Sequence, residues 1–296
     1  MKILIIGGNG FIGRSLAEYF CKTCDVTVLD KHIASDNTSQ YACIQCDVLN
    51  DNNNILNAAI KDADLVYHLA SPVGIHSIDQ TCNSFLHDMM RINLNVFSAV
   101  KMYNKKIIFF STSEVYGNCA DACETDDCII GNPNTPRWGY ASGKLTSEFL
   151  CKSLCGQSTI LRPFNICGAG DDKGVLYKML HASFHSQDIT IHGDGNQSRA
   201  LCDIRDLVTF IDALNGQSFT GEIYNIGNAN NVVSMNELAS LCKQYTYSDS
   251  NIVNVKYEDY FSLHHKDIYA RRPNCEKMNS IHCSQYTVEQ IIKSIL

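Results

Sequence analysis

The segment Gly7-Gly8-Asn9-Gly10-Phe11-Ile12-Gly13 constrains this chain more than any other. It joins a short apolar run, Lys2 to Ile6, to a segment from Gly13 to Cys21 with apolar residues at helical spacing. The run predicts a buried parallel strand and the segment a helix. Gly7 permits a tight turn, Gly10 lets the backbone approach a pyrophosphate, and Gly13 lets helix and strand pack closely. The N–H groups at the helix N-terminus, with their partial positive charge, suit phosphate. A second strand, Asp25 to Leu29, ends at Asp30. A carboxylate there accepts hydrogen bonds from both ribose hydroxyls and repels a 2′-phosphate. Residues 1–30 therefore predict an NAD-binding unit. Lys31 follows Asp30 directly and softens that repulsion. Asp47-Val48, after a third strand from Tyr41 to Gln45, would sit near the adenine, although Asp47 is equally read as a strand-end cap.

Strand and helix signals alternate through the first half. Helices are expected at Ile55–Ile60, Phe85–Tyr103 and Tyr140–Leu154, and strands at Leu65–Leu69, Lys106–Phe110 and Ser158–Leu161. The alternation predicts an α/β fold, a Rossmann-type doubly wound parallel sheet. After Arg162-Pro163, loops rich in Gly, Asp and Asn point to a smaller mixed α/β substrate-binding region. The expected division is an NAD-binding domain at 1–165, with a later contribution from about 200–228, and a substrate region at 166–296.

The formal net charge of −7 argues against a nucleic-acid surface, which needs a clustered basic footprint. No apolar run approaches the length of a membrane span, and no targeting segment is visible, so a cytoplasmic protein is expected. The 15 cysteines are scattered. Cys21, Cys24, Cys43 and Cys46 have the spacing of a zinc motif, but Cys24 precedes the second strand and Cys46 follows the third. Opposite ends of a parallel sheet lie roughly 15–20 Å apart, too far for one metal. Free thiols and no metal are expected.

Tyr140 and Lys144 are four residues apart in a helix and share a face. An ammonium beside a phenol favours phenolate, and a phenolate can take a proton from a sugar hydroxyl as hydride leaves to NAD. Upstream, Ser111-Thr112-Ser113-Glu114-Val115-Tyr116-Gly117 follows the strand Lys106–Phe110, at the sheet edge where ligands bind. Thr112 or Ser113 can hydrogen-bond the reacting hydroxyl, and Glu114 is a candidate second acid or base.

The glycine spacing and the Tyr-x-x-x-Lys pair resemble the short-chain dehydrogenase/reductase superfamily, and the wider set of motifs its extended branch, which modifies nucleotide sugars. That set includes His68-Leu69-Ala70-Ser71, Trp138-Gly139-Tyr140, Arg162-Pro163-Phe164-Asn165, Gln197-Ser198-Arg199, Asp203-Ile204-Arg205-Asp206, Asn225-Ile226-Gly227 and Arg271-Arg272-Pro273. Ser111 to Gly117 and Asn134 to Tyr140 are most similar to UDP-glucuronate decarboxylases. The resemblance implies cofactor contacts from Phe11, Ile12, Leu69, Ala70, Ser71, Ser111 and Pro163. It implies that Asn165 contacts the substrate diphosphate or sugar, that Arg199 binds the diphosphate, and that Arg271 approaches the sugar or its carboxylate. The adjacent Arg272 leaves that last alignment open by one position. A homodimer through the two long helices is also implied, although the same apolar faces could be buried within one subunit.

Oxidation at sugar C4 opens three routes. A C6 carboxylate makes a β-keto acid, which loses CO2. A C6 hydroxymethyl allows water elimination. Reduction from the other face gives an epimer. In the 4,6-dehydratases elimination uses an Asp-Glu pair, and Ser113 stands at the Asp position, which disfavours dehydration. Related epimerases carry a small residue at position 114, which disfavours epimerisation. Decarboxylation of UDP-glucuronate is the leading expectation. A 4-epimerase or 4,6-dehydratase is the rival on the same fold, and a non-catalytic NAD sensor the rival from another class.

Overall fold

The computed structural model describes residues 1–33, 40–50, 54–72, 82–256, 259 and 268–296. The chain opens β1 (Lys2–Ile6), α1 (Phe11–Phe20), β2 (Asp25–Asp30), β3 (Ala42–Gln45), α2 (Ile55–Asp62) and β4 (Leu65–His68). It continues α3 (Cys82–Met102), β5 (Lys106–Phe110), a 3-10 turn at Ser113–Tyr116, β6 (Asp121–Ala122), α4 (Pro136–Leu154) and β7 (Ser158–Pro163). Next come β8 (Ile166–Cys167), α5 (Val175–Phe184), β9 (Ile189–His192), β10 (Ser198–Ala200), β11 (Cys202–Asp203) and α6 (Ile204–Asn215). The last elements are β12 (Glu222–Ile226), β13 (Val232–Ser234), α7 (Met235–Thr246), β14 (Ile252–Val255), β15 (Ala270–Pro273), α8 (Glu276–Asn279) and α9 (Val288–Ile295).

Two compact units emerge. The first comprises residues 1–115, 136–162 and 216–224, and the second 116–135, 163–215 and 225–296. The observed break near 162 lies beside the expected one at 165. The segment 116–135 departs from the expected division by joining the second unit. The later return to the first unit is also shorter than 200–228.

A sheet ordered β12-β7-β5-β4-β1-β2-β3 organises the first unit. The pairings from β3 across to β7 are parallel. Strands covered on both faces must be apolar throughout, and β1, β4 and β5 are buried except at Lys2 and Lys106. The order reverses direction at β1, between β2 and β4. Ligands in such sheets bind beyond the carboxyl ends of the strands at that switch point. One core packs Leu4, Ile6 and Val66 of the sheet against Leu56 and Ile60 of α2, Phe97 and Val100 of α3, Cys151 of α4 and Cys155 just after it. Fully burying one such aliphatic side chain stabilises by roughly 1.5–3 kcal/mol.

The second unit uses short strands. One sheet runs β13-β10-β15-β6. Leu176, Leu180, Leu238, Ile291 and Ile292, from three helices, form a separate core with Ile189 and Ile191 of β9. The motif residues Asp206 and Asn225 turn out to be structural. Buried Asp206 accepts hydrogen bonds from the backbone N–H groups of Gln285 and Tyr286, at 2.9 and 3.3 Å. Asn225 accepts from the Tyr116 hydroxyl at 2.7 Å and donates to Ala122 O at 3.0 Å.

Cys24 precedes β2 and Cys46 follows β3, and the two strands pair from Thr27↔Ala42 to Asp30↔Gln45. The two cysteines therefore lie at opposite ends of that pairing. The described cysteines are free thiols.

Candidate active site

The glycine loop leaves β1 through Gly7, whose φ of +81° is left-handed. A Cβ there would lie 2.5 Å from the Ala70 backbone nitrogen and 2.8 Å from its Cα. Gly7 therefore answers to both a turn and a close approach of the β4 end. At Gly13 a Cβ would meet Gly8 Cα at 2.6 Å and Gly7 O at 2.8 Å, so the helix packs on the loop itself. Gly10 is different: a Cβ would meet only Gly7 O, at 3.6 Å. Protein packing does not demand a glycine there, and the bare position leaves the loop backbone open to a ligand. Gly10 is also the N-cap of α1, with no side chain to satisfy the first-turn N–H groups. Phe11 and Ile12 begin that first turn.

Asp30 ends β2. Its carboxylate accepts from Asn9 N–H and from His32 N–H, each at 3.0 Å, which fixes it against the glycine loop. Lys31, next in sequence, is exposed. Asp47 accepts from Leu49 N–H at 3.1 Å and Asn50 Nδ2 at 3.0 Å, the turn-capping arrangement. Its exposure leaves the carboxylate open to a ligand, and Val48 beside it is buried in the core. Leu69 and Ala70 both donate to Ile6 O, and the Ser71 hydroxyl donates to Pro72 O. All these residues lie at the carboxyl edge of the sheet. The set fits a dinucleotide: a bare helix N-terminus, an open glycine and a fixed carboxylate.

The catalytic candidates gather at the same edge, along α4. The helix starts at Pro136, one turn before the start expected at Tyr140. Proline at the first helical position loses no hydrogen bond. Arg137, Tyr140 and Lys144 occupy positions i, i+3 and i+7 and share a face. Ser147 and Glu148 continue that stripe. The Tyr140 ring packs 6.1 Å from the Phe85 ring of α3. Lys144 is buried and donates to Phe110 O at 2.9 Å. Burial pushes its pKa down to about 7, against the attraction of Glu148.

Thr112 Oγ1 accepts from Glu114 N–H at 3.2 Å, and Ser113 is buried beside it. The Glu114 carboxylate is held by Arg137: Nε to Oε2 at 2.6 Å and Nη2 to Oε1 at 2.8 Å. Both side chains are nearly out of solvent, at 8% exposure for Arg137 and 14% for Glu114. Glu114, the candidate second acid or base, is thus one member of a two-point ion pair with Arg137. Ser111 donates to Glu148 Oε1 at 2.5 Å. Arg162 binds both oxygens of Glu148, at 3.0 and 2.6 Å, and all three residues are buried.

A further chain of buried bonds reaches α4 from β4. Gly143 O can only accept, so the Ser147 hydroxyl donates to it, at 2.7 Å. Ser147 then accepts from Asn93 Nδ2 at 2.6 Å, and Asn93 Oδ1 accepts from His68 Nε2 at 2.8 Å. The direction fixes the His68 tautomer as Nε2–H. Burial pushes the His68 pKa down to about 3, opposed by the Asn93 bond and reinforced by Lys144, so the ring is neutral.

In the second unit, Arg199 of β10 stands in parallel register with Arg271 of β15. In-register neighbours project from the same side of a sheet, strands about 4.8 Å apart. Arg199 Nη1 donates to Ser198 O and Ile268 O, each at 2.8 Å. Arg271 is buried, whereas Arg272 is exposed and lies 3.9 Å from Asp121. The alternation of a strand thus separates the two arginines and selects Arg271 as the partner of Arg199. Asn165, at φ +37°, accepts from Cys202 N–H and donates to Ala200 O at 3.5 Å, next to Arg199. Pro163 ends β7, and Phe164 N–H donates to Ile226 O.

The sequence matches the NAD dependent epimerase/dehydratase family over residues 3–227. The chain belongs to that family. It is 31% identical over 295 residues to the UDP-N-acetyl-alpha-D-glucosaminuronate decarboxylase of Bacillus cytotoxicus, covering 95% of this chain and 91% of the relative. The crystal structure of the PbgP3 protein from Burkholderia pseudomallei superposes with a TM-score of 0.85 at 25% identity, over 99% of this chain and 94% of that one. A UDP-glucuronic acid 4-epimerase from Bacillus cereus, solved with UDP-glucuronic acid and NAD, matches with a TM-score of 0.85 at 22% identity, over 99% and 97%. The protein is an NAD-dependent enzyme of nucleotide-sugar chemistry.

Sequence reading of this family member missed Arg137, Glu148 and the His68–Asn93–Ser147 chain as working parts. Arg137 and Glu148 carried one legible signal, their i−3 and i+8 spacing from Tyr140 on the same helix face. Their partners lie 23 and 37 residues away and carried none.

Proposed function

We propose that this enzyme decarboxylates a UDP-uronate, UDP-glucuronate or its 2-acetamido analogue, through a 4-keto sugar. The likeness to the Bacillus cytotoxicus decarboxylase along nearly the whole chain carries this reading. NAD, when bound, would supply the hydride acceptor for oxidation at C4. The chain's own residues do the rest. Tyr140, beside Lys144, takes the C4 hydroxyl proton. Lys144, buried and anchored to Phe110 O, favours the phenolate. Thr112 or Ser113 hydrogen-bonds the same hydroxyl. Asp30 holds the adenosine ribose, with the adenine near Asp47 and Val48. In the second unit, Asn165 and Arg199 contact the diphosphate, and Arg271 reaches the sugar or its carboxylate.

Ser113 is a poor proton donor to a leaving hydroxyl, which supports decarboxylation over water elimination. The test is a product screen by mass spectrometry over UDP-, dTDP- and GDP-sugars with NAD. A pentose product, or its 2-acetamido counterpart, from a UDP-uronate is expected. Epimerised or dehydrated product alone would favour the rival chemistry.

The assembly belongs to the same proposal. Leu86 and Leu94 on α3 are 41% and 42% exposed, and Phe149 on α4 is 70% exposed. These apolar residues on two packed helices support a homodimer. The free thiols suit a reducing compartment, and we assign the enzyme to the cytoplasm.

A further inference from the structure

We propose that Arg137, one turn before Tyr140 on α4, is a positioning residue that locks Glu114 as a permanent carboxylate, so that Glu114 accepts a hydrogen bond from a sugar hydroxyl and donates no proton. The inference deepens the proposed function and takes its substrate class from it. The pair is built on two elements. Glu114 sits on the 3-10 turn after β5, and Arg137 is the second residue of α4. The two nitrogens engage the two carboxylate oxygens, so the planar guanidinium also fixes the plane of the carboxylate. An exposed pair would be worth little, but these side chains are only 8% and 14% exposed. Removing one member would leave a nearly buried charge without its partner, and a carboxyl in that position takes up a proton instead.

Arg137 places Glu114 with respect to the reacting line, because it stands one turn before Tyr140 and two before Lys144 on one face. Arg137 is the charged group that bonds Glu114 from α4. Tyr140 and Lys144 are the titratable groups next along that face, and Thr112 Oγ1 takes the Glu114 backbone N–H. An ionised carboxylate has about four acceptor positions, so a two-point clamp by arginine is compatible with a hydroxyl donor as well.

The test uses the full chain and the UDP-uronate that the unaltered enzyme turns over. Arg137→Met, Glu114→Gln and the double variant are compared by kcat, KM and pH profile, and by infrared spectroscopy of their carboxyl groups. Arg137→Met should lose about 100-fold in kcat, the scale of a misplaced group. Its KM should change by less than about threefold. It should gain an acid-limb ionisation and a carboxylic-acid band near neutral pH, both absent from the double variant. The double variant should be no slower than the worse single one. Should Arg137→Met not fold, Arg137→Gln carries the same comparison. An unchanged kcat and pH profile, or no new carboxylic-acid band, would overturn the proposal. The infrared arm needs no turnover, so an enzyme inactive on every UDP-uronate would sink the functional reading while still deciding this one.

Discussion

Lys144 is buried, which disfavours its charged form and gives stability a pH dependence of definite sign. Its pKa lies near 7 in the folded chain and at 10.5 when unfolded. Between those values the unfolded chain binds the extra proton, so stability rises as pH rises through that window. Lys144→Met should abolish turnover and yet melt higher than the unaltered protein at pH 7. That difference in Tm should shrink as the pH approaches 10.5, which differential scanning fluorimetry would record. A constant difference would contradict the assigned burial cost. Tyr140→Phe should lower kcat by about 100- to 10,000-fold, the range of general acid–base catalysis. At this scale the sequence was informative wherever chemistry is local. Gly7, Asp30, Tyr140 and Lys144 declare themselves through spacing within one strand-loop-helix or one helix turn. Glu114 could be found but its protonation state could not, because Arg137 lies 23 residues away.

The helix α4 works as a single polar stripe docked on the ends of β4, β5 and β7. Arg137 binds Glu114, Lys144 binds Phe110 O, Ser147 binds Asn93, and Glu148 binds Ser111 and Arg162. Such a stripe adds polar bonds to the apolar packing of Tyr140 on Phe85 and Met89. Ser147→Ala leaves the Asn93 amide buried with a donor unused, at a cost of about 1–3 kcal/mol. Asn93→Ala should cost a similar amount, and the double variant less than the sum, because one chain of bonds is broken twice. Chemical denaturation of the three variants would show this, and strict additivity would argue against a connected chain. Elements of the first unit were legible from apolar runs of the right length. The start of α4 at Pro136 was not, because Asn132-Pro133-Asn134-Thr135-Pro136 reads as turn chemistry, while only the folded chain shows proline at the first helical position. Strands of two to four residues in the second unit carry too few positions to declare a period. The register that sets Arg199 beside Arg271 was therefore invisible.

Over the whole molecule, the parallel sheet and its glycine loop were written in the sequence, because alternation of strand and helix leaves few other folds. The membership of 116–135 in the second unit was not, because it depends on partners such as Asn225, 109 residues from Tyr116. The dimer proposal is tested at this scale by light scattering. Phe149→Glu with Leu94→Lys should convert a dimer to monomers without unfolding them, and a parent that is already monomeric would remove the proposal. The central claim concerns the fate of C6. Incubation with NAD and a UDP-uronate carrying 13C in its carboxyl group, followed by NMR, would trace that carbon. The account predicts one labelled CO2 for each pentose formed, and none with Tyr140→Phe. A C4-epimerised uronate that keeps its label would contradict it.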